Sequence, residues 1–151
     1  NYMGSDGSGA ELLAVTRPGM SGPESFMTKE EAEDHAYRPY MEGRKVFKNA
    51  VTRMSESITT LLERNNLTPD DIDYLVPHQA NIRIISTVAD KFNFPMEKVV
   101  MNIHKYGNTT SASLPLCLSE AVADGRLTKG KLILTVVFGS GFTWGANLIR
   151  W

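Results

Sequence analysis

Residues 73–85 read DYLVPHQANIRII. An apolar, strand-like run, Asp73 to Val76, ends at Pro77, His78 and Gln79. A run with helical spacing follows at once, Asn81 to Phe92, with Ile82, Ile85, Val88 and Ala89 on its inner side. A strand that passes directly into a helix is the repeating unit of layered α/β folds. The seam also poses a chemical choice. His78 at a strand tip either serves the turn or works on a ligand.

The alternation continues in both directions. Upstream, Val46, Phe47, Ala50, Val51, Met54, Ile58, Leu61 and Leu62 recur at helical spacing, which predicts a helix from about Glu42 to Asn65. LTPDDI, residues 67–72, reads as a capped turn with Thr68 as cap and Pro69 in the first helical position. Ala10 to Thr16 reads as a short strand after a Gly/Ser/Asp turn at residues 4–9. Pro18, Gly19, Gly22, Pro23 and Pro39 break residues 17–39 into loop, expected to be the mobile part of the domain. Downstream come a strand at Val99–Met101, a loop from His104 to Ser113 and a helix from about Ser111 to Asp124. Leu132 to Phe138 is a continuous apolar run, as in a strand covered on both faces. Phe142 to Trp151 follows a Gly-Ser-Gly turn as its hairpin partner. The order predicts an α/β domain over residues 1–151, with a layered, mostly parallel sheet ending in an antiparallel hairpin.

Composition narrows the function classes. The formal net charge of −1 offers no basic field for nucleic acid. No apolar run reaches the length of a membrane span, and NYMGSDGSGAELL carries no signal-peptide pattern. The single cysteine, Cys117, cannot form an internal disulfide, which fits a reducing, cytoplasmic setting. His35 and His104 lack metal-ligand partners at suitable spacing, so no metal is expected. GSDGSG lacks both the lysine of a phosphate-binding loop and the spacing of a dinucleotide fingerprint.

In an open α/β sheet, working residues gather at the carboxyl ends of strands. The loops at residues 77–81 and 107–111 both fit that rule. His78 offers an N–H donor or a base, and Asn108 a carboxamide donor that cannot titrate. Aimed at one oxygen, two neutral donors stabilise a developing negative charge. The same residues also suit capping of the helices that follow, and spacing alone favours that reading. VFGSGFTWG, residues 137–145, offers backbone donors among small residues or simply a tight hairpin turn. Cys117 lies among leucines with no basic neighbour, as expected of a buried, inert thiol. Lys45, Lys48, Arg53, Arg83 and Lys91 read as solvated helix faces or as a docking patch for an acidic partner.

Together, VPHQANIRII, YGNTTSASLPLCLSEAV, FGSGFTWGANLIRW and MEGRKVFKNAV resemble the carboxy-terminal half of β-ketoacyl-acyl-carrier-protein synthase III, a thiolase-fold condensing enzyme. The resemblance runs from SDGSGAELL to Trp151. It implies an acyltransferase of fatty acid synthesis. A cysteine takes an acyl group from coenzyme A, malonyl-carrier-protein loses carbon dioxide, and the resulting enolate attacks the acyl-enzyme. His78 and Asn108 match the family's pair that holds the malonyl thioester oxygen. Ser140 falls at the oxyanion-hole amide, where the family commonly has glycine, and Phe138 at an aromatic residue beside the catalytic centre. Met41, Gly43, Phe47, Ala80 and Asn81 match positions lining the pantetheine tunnel. Lys48, Arg83 and Lys91 match basic positions that meet the carrier protein, while Asp90 stands where a second lysine is frequent. No cofactor is implied, because acyl-coenzyme A and malonyl-carrier-protein are substrates.

The family's nucleophilic cysteine lies in its amino-terminal half, and Cys117 matches no such position. The chain is therefore expected to need that half, and a homodimer of the full-length enzyme, for activity. Two other readings share these residues: a synthase-III-like acyltransferase of secondary metabolism, and a noncatalytic module that binds carrier protein.

Overall fold

The apolar run from Leu132 forms a strand buried along nearly its whole length, and the other elements assemble around it. In the computed structural model, which describes residues 1–15, 29–33 and 38–151, the chain order is β1 (Tyr2–Ser5), a 3-10 helix at Gly7–Leu12, β2 (Leu13–Ala14), α1 (Lys29–Glu33), β3 (Tyr40–Met41) and α2 (Gly43–Arg64). Then come β4 (Tyr74–Pro77), α3 (Ile82–Lys91), α4 (Ile103–Tyr106), α5 (Ser113–Ala123), β5 (Leu132–Gly139) and β6 (Thr143–Arg150). Most of the loop expected over residues 17–39 lies outside the described residues; within it, Lys29–Glu33 is helical.

The main sheet runs β1-β6-β5-β4. β4 pairs parallel with β5, from Tyr74 opposite Ile133 to Pro77 opposite Val136. β5 and β6 form the expected antiparallel hairpin, and β1 adds a second antiparallel pairing on β6. The layered α/β class holds, but the sheet is mixed and its parallel share is smaller than expected. One reason is that Val99–Met101 does not become a full strand. It makes a single parallel bridge, Val99 to Leu75, with Val100 N–H donating to the Leu75 carbonyl at 2.9 Å. Further on, the amides of Asn102 and Ile103 bind the side chain of Gln79 instead of a ladder.

Side-chain alternation along β5 builds two cores. Leu132, Leu134, Val136 and Phe138 join the α2 residues Val46, Ala50, Met54, Ile58 and Leu61, together with Ile85 and Val88 of α3. Ile133 faces the opposite way and packs with Val76, Val100, Cys117 and Ala121. The sheet is thus covered by α2 and α3 on one face and by α5 on the other. Asp73 clips the start of β4 to β5: its carboxylate accepts from Leu132 N–H at 2.8 Å and from Lys131 Nζ at 2.9 Å.

The strand expected over Ala10–Thr16 shrinks to Leu13–Ala14, paired with β3. Asp6 accepts from both the amide and the hydroxyl of Ser8 and caps the 3-10 helix Gly7–Leu12, which takes up the first residues of that run. Such local side-chain bonds compete with ladder formation.

Candidate active site

His78 extends β4 by one rung, its N–H donating to the Val136 carbonyl at 2.9 Å. The helix behind it is capped by Asn81, whose Oδ1 accepts from Arg83 N–H at 2.8 Å. His78 is therefore not the cap of α3, and its side chain is free for other work. The imidazole is half-buried, with Nδ1 2.6 Å from Oγ of Ser113, a fully buried residue at the start of α5. Ser113 Oγ also accepts the Gln79 N–H at 3.4 Å. The hydroxyl can donate its one hydrogen to Nδ1 while accepting from Gln79, an arrangement that suits a ring proton on Nε2. Burial pushes the imidazole below its ordinary 6.5, which keeps it neutral at neutral pH.

Asn108 reaches the site by a different device. Gly107 adopts φ 66° and ψ −152°, a conformation essentially reserved for glycine, and turns the chain out of α4. Asn108 Oδ1 then accepts from Thr110 N–H at 2.9 Å. Thr110 has φ 51°, unusual for a β-branched residue and a sign of local strain. The cap-like bond uses the oxygen of Asn108 and leaves Nδ2 as its donor. Asn108 is therefore not the cap of a following helix, since Thr109 precedes the 3-10 turn at Thr110–Ala112 and Ala112 precedes α5.

These two loops and the β5–β6 turn converge. His78, Asn108, Phe138 and Ser140 all line one cleft of about 1240 Å³. Met41, Gly43 and Phe47 line it from the β3–α2 side, and Ala80, Asn81 and Arg83 from the start of α3. Phe138 is buried, its ring 4.9 Å from that of Phe142. The carbonyl of Ser140 accepts from Thr143 Oγ1 at 3.1 Å. The Arg83 guanidinium lies 5.9 Å from the centre of the Phe47 ring, close enough for a cation–π contact.

The basic residues divide. Arg83 is at the cleft, whereas Lys48 and Lys91 are exposed and do not line it. Lys91 ends α3, about 12 Å along the helix axis from Arg83. Lys45 pairs with Glu42 at 3.0 Å, and Arg53 pairs with Glu56 at 3.0 Å. Cys117 is fully buried, and burial pushes its thiol up to about 11, so the thiolate needed of a nucleophile is not formed at neutral pH. Among the described residues, no group of three or more His, Cys, Asp or Glu is placed to hold a metal, and no helix is long and apolar enough to cross a membrane.

Sequence reasoning missed three residues that shape the site. Ser113 holds Nδ1 of His78. Gln79, fully buried, binds the backbone at both loops. Glu120 accepts from Asn102, Lys105 and Tyr106 and so holds α4 against α5. Most of their partners lie 14 to 35 residues away, beyond any local pattern.

The arrangement places His78 and Asn108, from separate loops, on the lining of one cleft. Comparison with known proteins adds to this. Residues 62–151 match the family described as 3-oxoacyl-[acyl-carrier-protein (ACP)] synthase III C terminal. The beta-ketoacyl-[acyl-carrier-protein] synthase III of Clostridioides difficile (strain 630) is 45% identical over 150 residues, covering 99% of this chain and 45% of the relative. That of Caldanaerobacter subterraneus subsp. tengcongensis is 43% identical over 151 residues, covering 100% of this chain and 45% of the relative. The crystal structure of the Thermus thermophilus synthase III superposes with a TM-score of 0.84 at 41% identity, covering 99% of this chain and 44% of that one. The chain thus spans about 45% of the length of the curated relatives it matches.

Proposed function

Because the chain belongs to the 3-oxoacyl-[acyl-carrier-protein] synthase III family, we propose that it supplies the malonyl-activating half of a condensing acyltransferase that starts fatty acid synthesis. The observation that carries this reading is the convergence of His78 and Asn108 on one cleft with their other polar atoms already engaged. His78 Nε2–H and Asn108 Nδ2 receive the malonyl thioester oxygen. As carbon dioxide leaves, charge accumulates on that oxygen, and both donors bind it more strongly than they bind the starting thioester. This difference between ground state and transition state lowers the barrier. A neutral imidazole donates without competing to protonate the enolate carbon.

The remaining cleft residues fit a thin, polar pantetheine arm. Gly43 and Ala80 leave room for it, Met41 and Phe47 flank it, and Asn81 offers its amide although its oxygen already caps α3. The Ser140 backbone N–H serves the acyl oxyanion, and Phe138 packs beside it. Arg83 at the cleft mouth meets the acidic carrier protein, with Lys48 and Lys91 flanking at greater distance. The partners follow from this: acyl carrier protein, coenzyme A thioesters, the amino-terminal half that brings the nucleophilic cysteine, and a second copy of the full-length enzyme, working in the cytoplasm.

The test is His78→Ala and Asn108→Ala in the full-length enzyme. Each is expected to slow malonyl decarboxylation by about 10²–10³-fold, the loss typical of one such donor. Loading of the acyl group from coenzyme A should continue in both. Near-normal condensation by either variant contradicts the assigned roles.

A further inference from the structure

Gln79 follows His78 directly, is completely buried, and uses every hydrogen-bonding position of its amide. Nε2 donates to the Pro77 carbonyl at 2.8 Å and to the Val100 carbonyl at 3.3 Å. Oε1 accepts from Asn102 N–H at 3.0 Å and from Ile103 N–H at 3.1 Å. A carboxamide has two donors and two acceptor lone pairs, so none is left over. The four partners belong to two separate segments. Pro77 ends β4 and precedes His78, while Val100, Asn102 and Ile103 lead into α4 and through it to Gly107 and Asn108. Among the described residues, main-chain bonding joins the two segments where Leu75 bridges Val99 and accepts from Val100 N–H. Beyond that point, Gln79 is a side chain bonded to both segments.

We propose that Gln79 is a positioning residue: its amide ties the loop bearing His78 to the segment that leads through α4 to the loop bearing Asn108, and so sets the separation of the two donors. This rests on the donor roles proposed above. Gln79 does not reach the reacting atoms itself. Its backbone N–H also donates to the Ser113 hydroxyl that contacts His78 Nδ1, so the same residue touches the support of the His78 ring as well.

The test compares Gln79→Met and Gln79→Glu in the full-length enzyme. Methionine keeps the volume and removes all four bonds. Gln79→Met is expected to load acyl groups normally, but to decarboxylate malonyl-carrier-protein with kcat lower by about 10²-fold, as for a displacement of about 1 Å, and KM unchanged. Glutamate restores the acceptor and, when protonated, one O–H donor toward a carbonyl. Its rate relative to the unaltered enzyme should be near normal in acid and fall as the carboxyl ionises against the Pro77 and Val100 carbonyls. The titratable groups nearby are His78, Cys117, whose Sγ lies 3.9 Å from the Val100 carbonyl, and Glu120, which binds Asn102. All three are common to both enzymes and drop out of the ratio. A Gln79→Met enzyme with unaltered kcat, or a pH-independent Gln79→Glu ratio, overturns the proposal. Failure of both variants to fold also overturns it, since Gln79 would then serve the core rather than the site. Asn108→Ala measured alongside separates the claims. If it is fully active, the donor role itself fails; if it is slow beside a fast Gln79→Met, only the positioning role fails.

Discussion

At His78 the decisive contact is with Ser113, 2.6 Å from Nδ1. Removing the hydroxyl in Ser113→Ala frees Nδ1 and lets the proton divide between the two ring nitrogens. Malonyl decarboxylation should fall by about tenfold, or about 1.4 kcal/mol of barrier. The change should appear in the ¹⁵N shifts of the His78 ring as a loss of the single Nε2–H tautomer; an unaltered tautomer would remove the role given to Ser113. The same change strands the Gln79 amide in a buried place, at a cost of about 1–3 kcal/mol in unfolding stability. His78 and Asn108 were legible in the sequence because each stands between a strand-like and a helix-like run. Ser113 was not, because it meets His78 across 35 residues. Spacing could not decide whether His78 capped α3. The Asn81 cap decides it, since that position needs one acceptor and Asn81 fills it.

Among the elements, the predicted helices α2 and α3 fall within a residue or two of their observed ends. Long apolar periodicity is a local signal, so these helices survive folding, although Ile82, expected on the inner side of α3, is exposed. Short strands do not have that security. β1, with Gly4 and Ser5 among its four residues, carries no strand pattern of its own and exists because β6 offers it an edge. Asp73 illustrates how such joints are held and gives a pH test. Its carboxyl is held below the ordinary 3.8, first by the Leu132 N–H and then by Lys131. A carboxyl with a depressed folded pKa stabilises the fold above its unfolded pKa, and that contribution is lost as pH falls through the folded value. Asp73→Asn should therefore unfold more readily in urea near pH 7, by about 1 kcal/mol for the lost charge on a partly exposed bond. The gap should close in acid, once the carboxyl of the unaltered protein is protonated. A gap that persists below the folded pKa would mean that the charge on Asp73 contributes nothing.

For the whole molecule, α5 is the telling element. Cys117 and Ala121 pack on the sheet, while Val122 is 45% exposed on a helix that is apolar nearly all round. A helix of that composition suits burial on both sides, which agrees with a chain spanning about 45% of the length of its relatives. The chain's one thiol is buried and held protonated. The 151-residue chain by itself should accordingly form no ketoacyl product from acyl-coenzyme A and malonyl-carrier-protein; any product in a purified preparation would refute this. The sequence alone settled the α/β class, the long helices, the β5–β6 hairpin and the family resemblance, because periodicity, breakers and motif residues act over a few neighbours. Only the tertiary structure decided that the sheet is mixed, that the loops of His78 and Asn108 open on one cleft, and that Gln79 and Ser113 brace them. Those facts depend on bonds closed between residues far apart in the chain, and burial makes each of them costly to leave unmade.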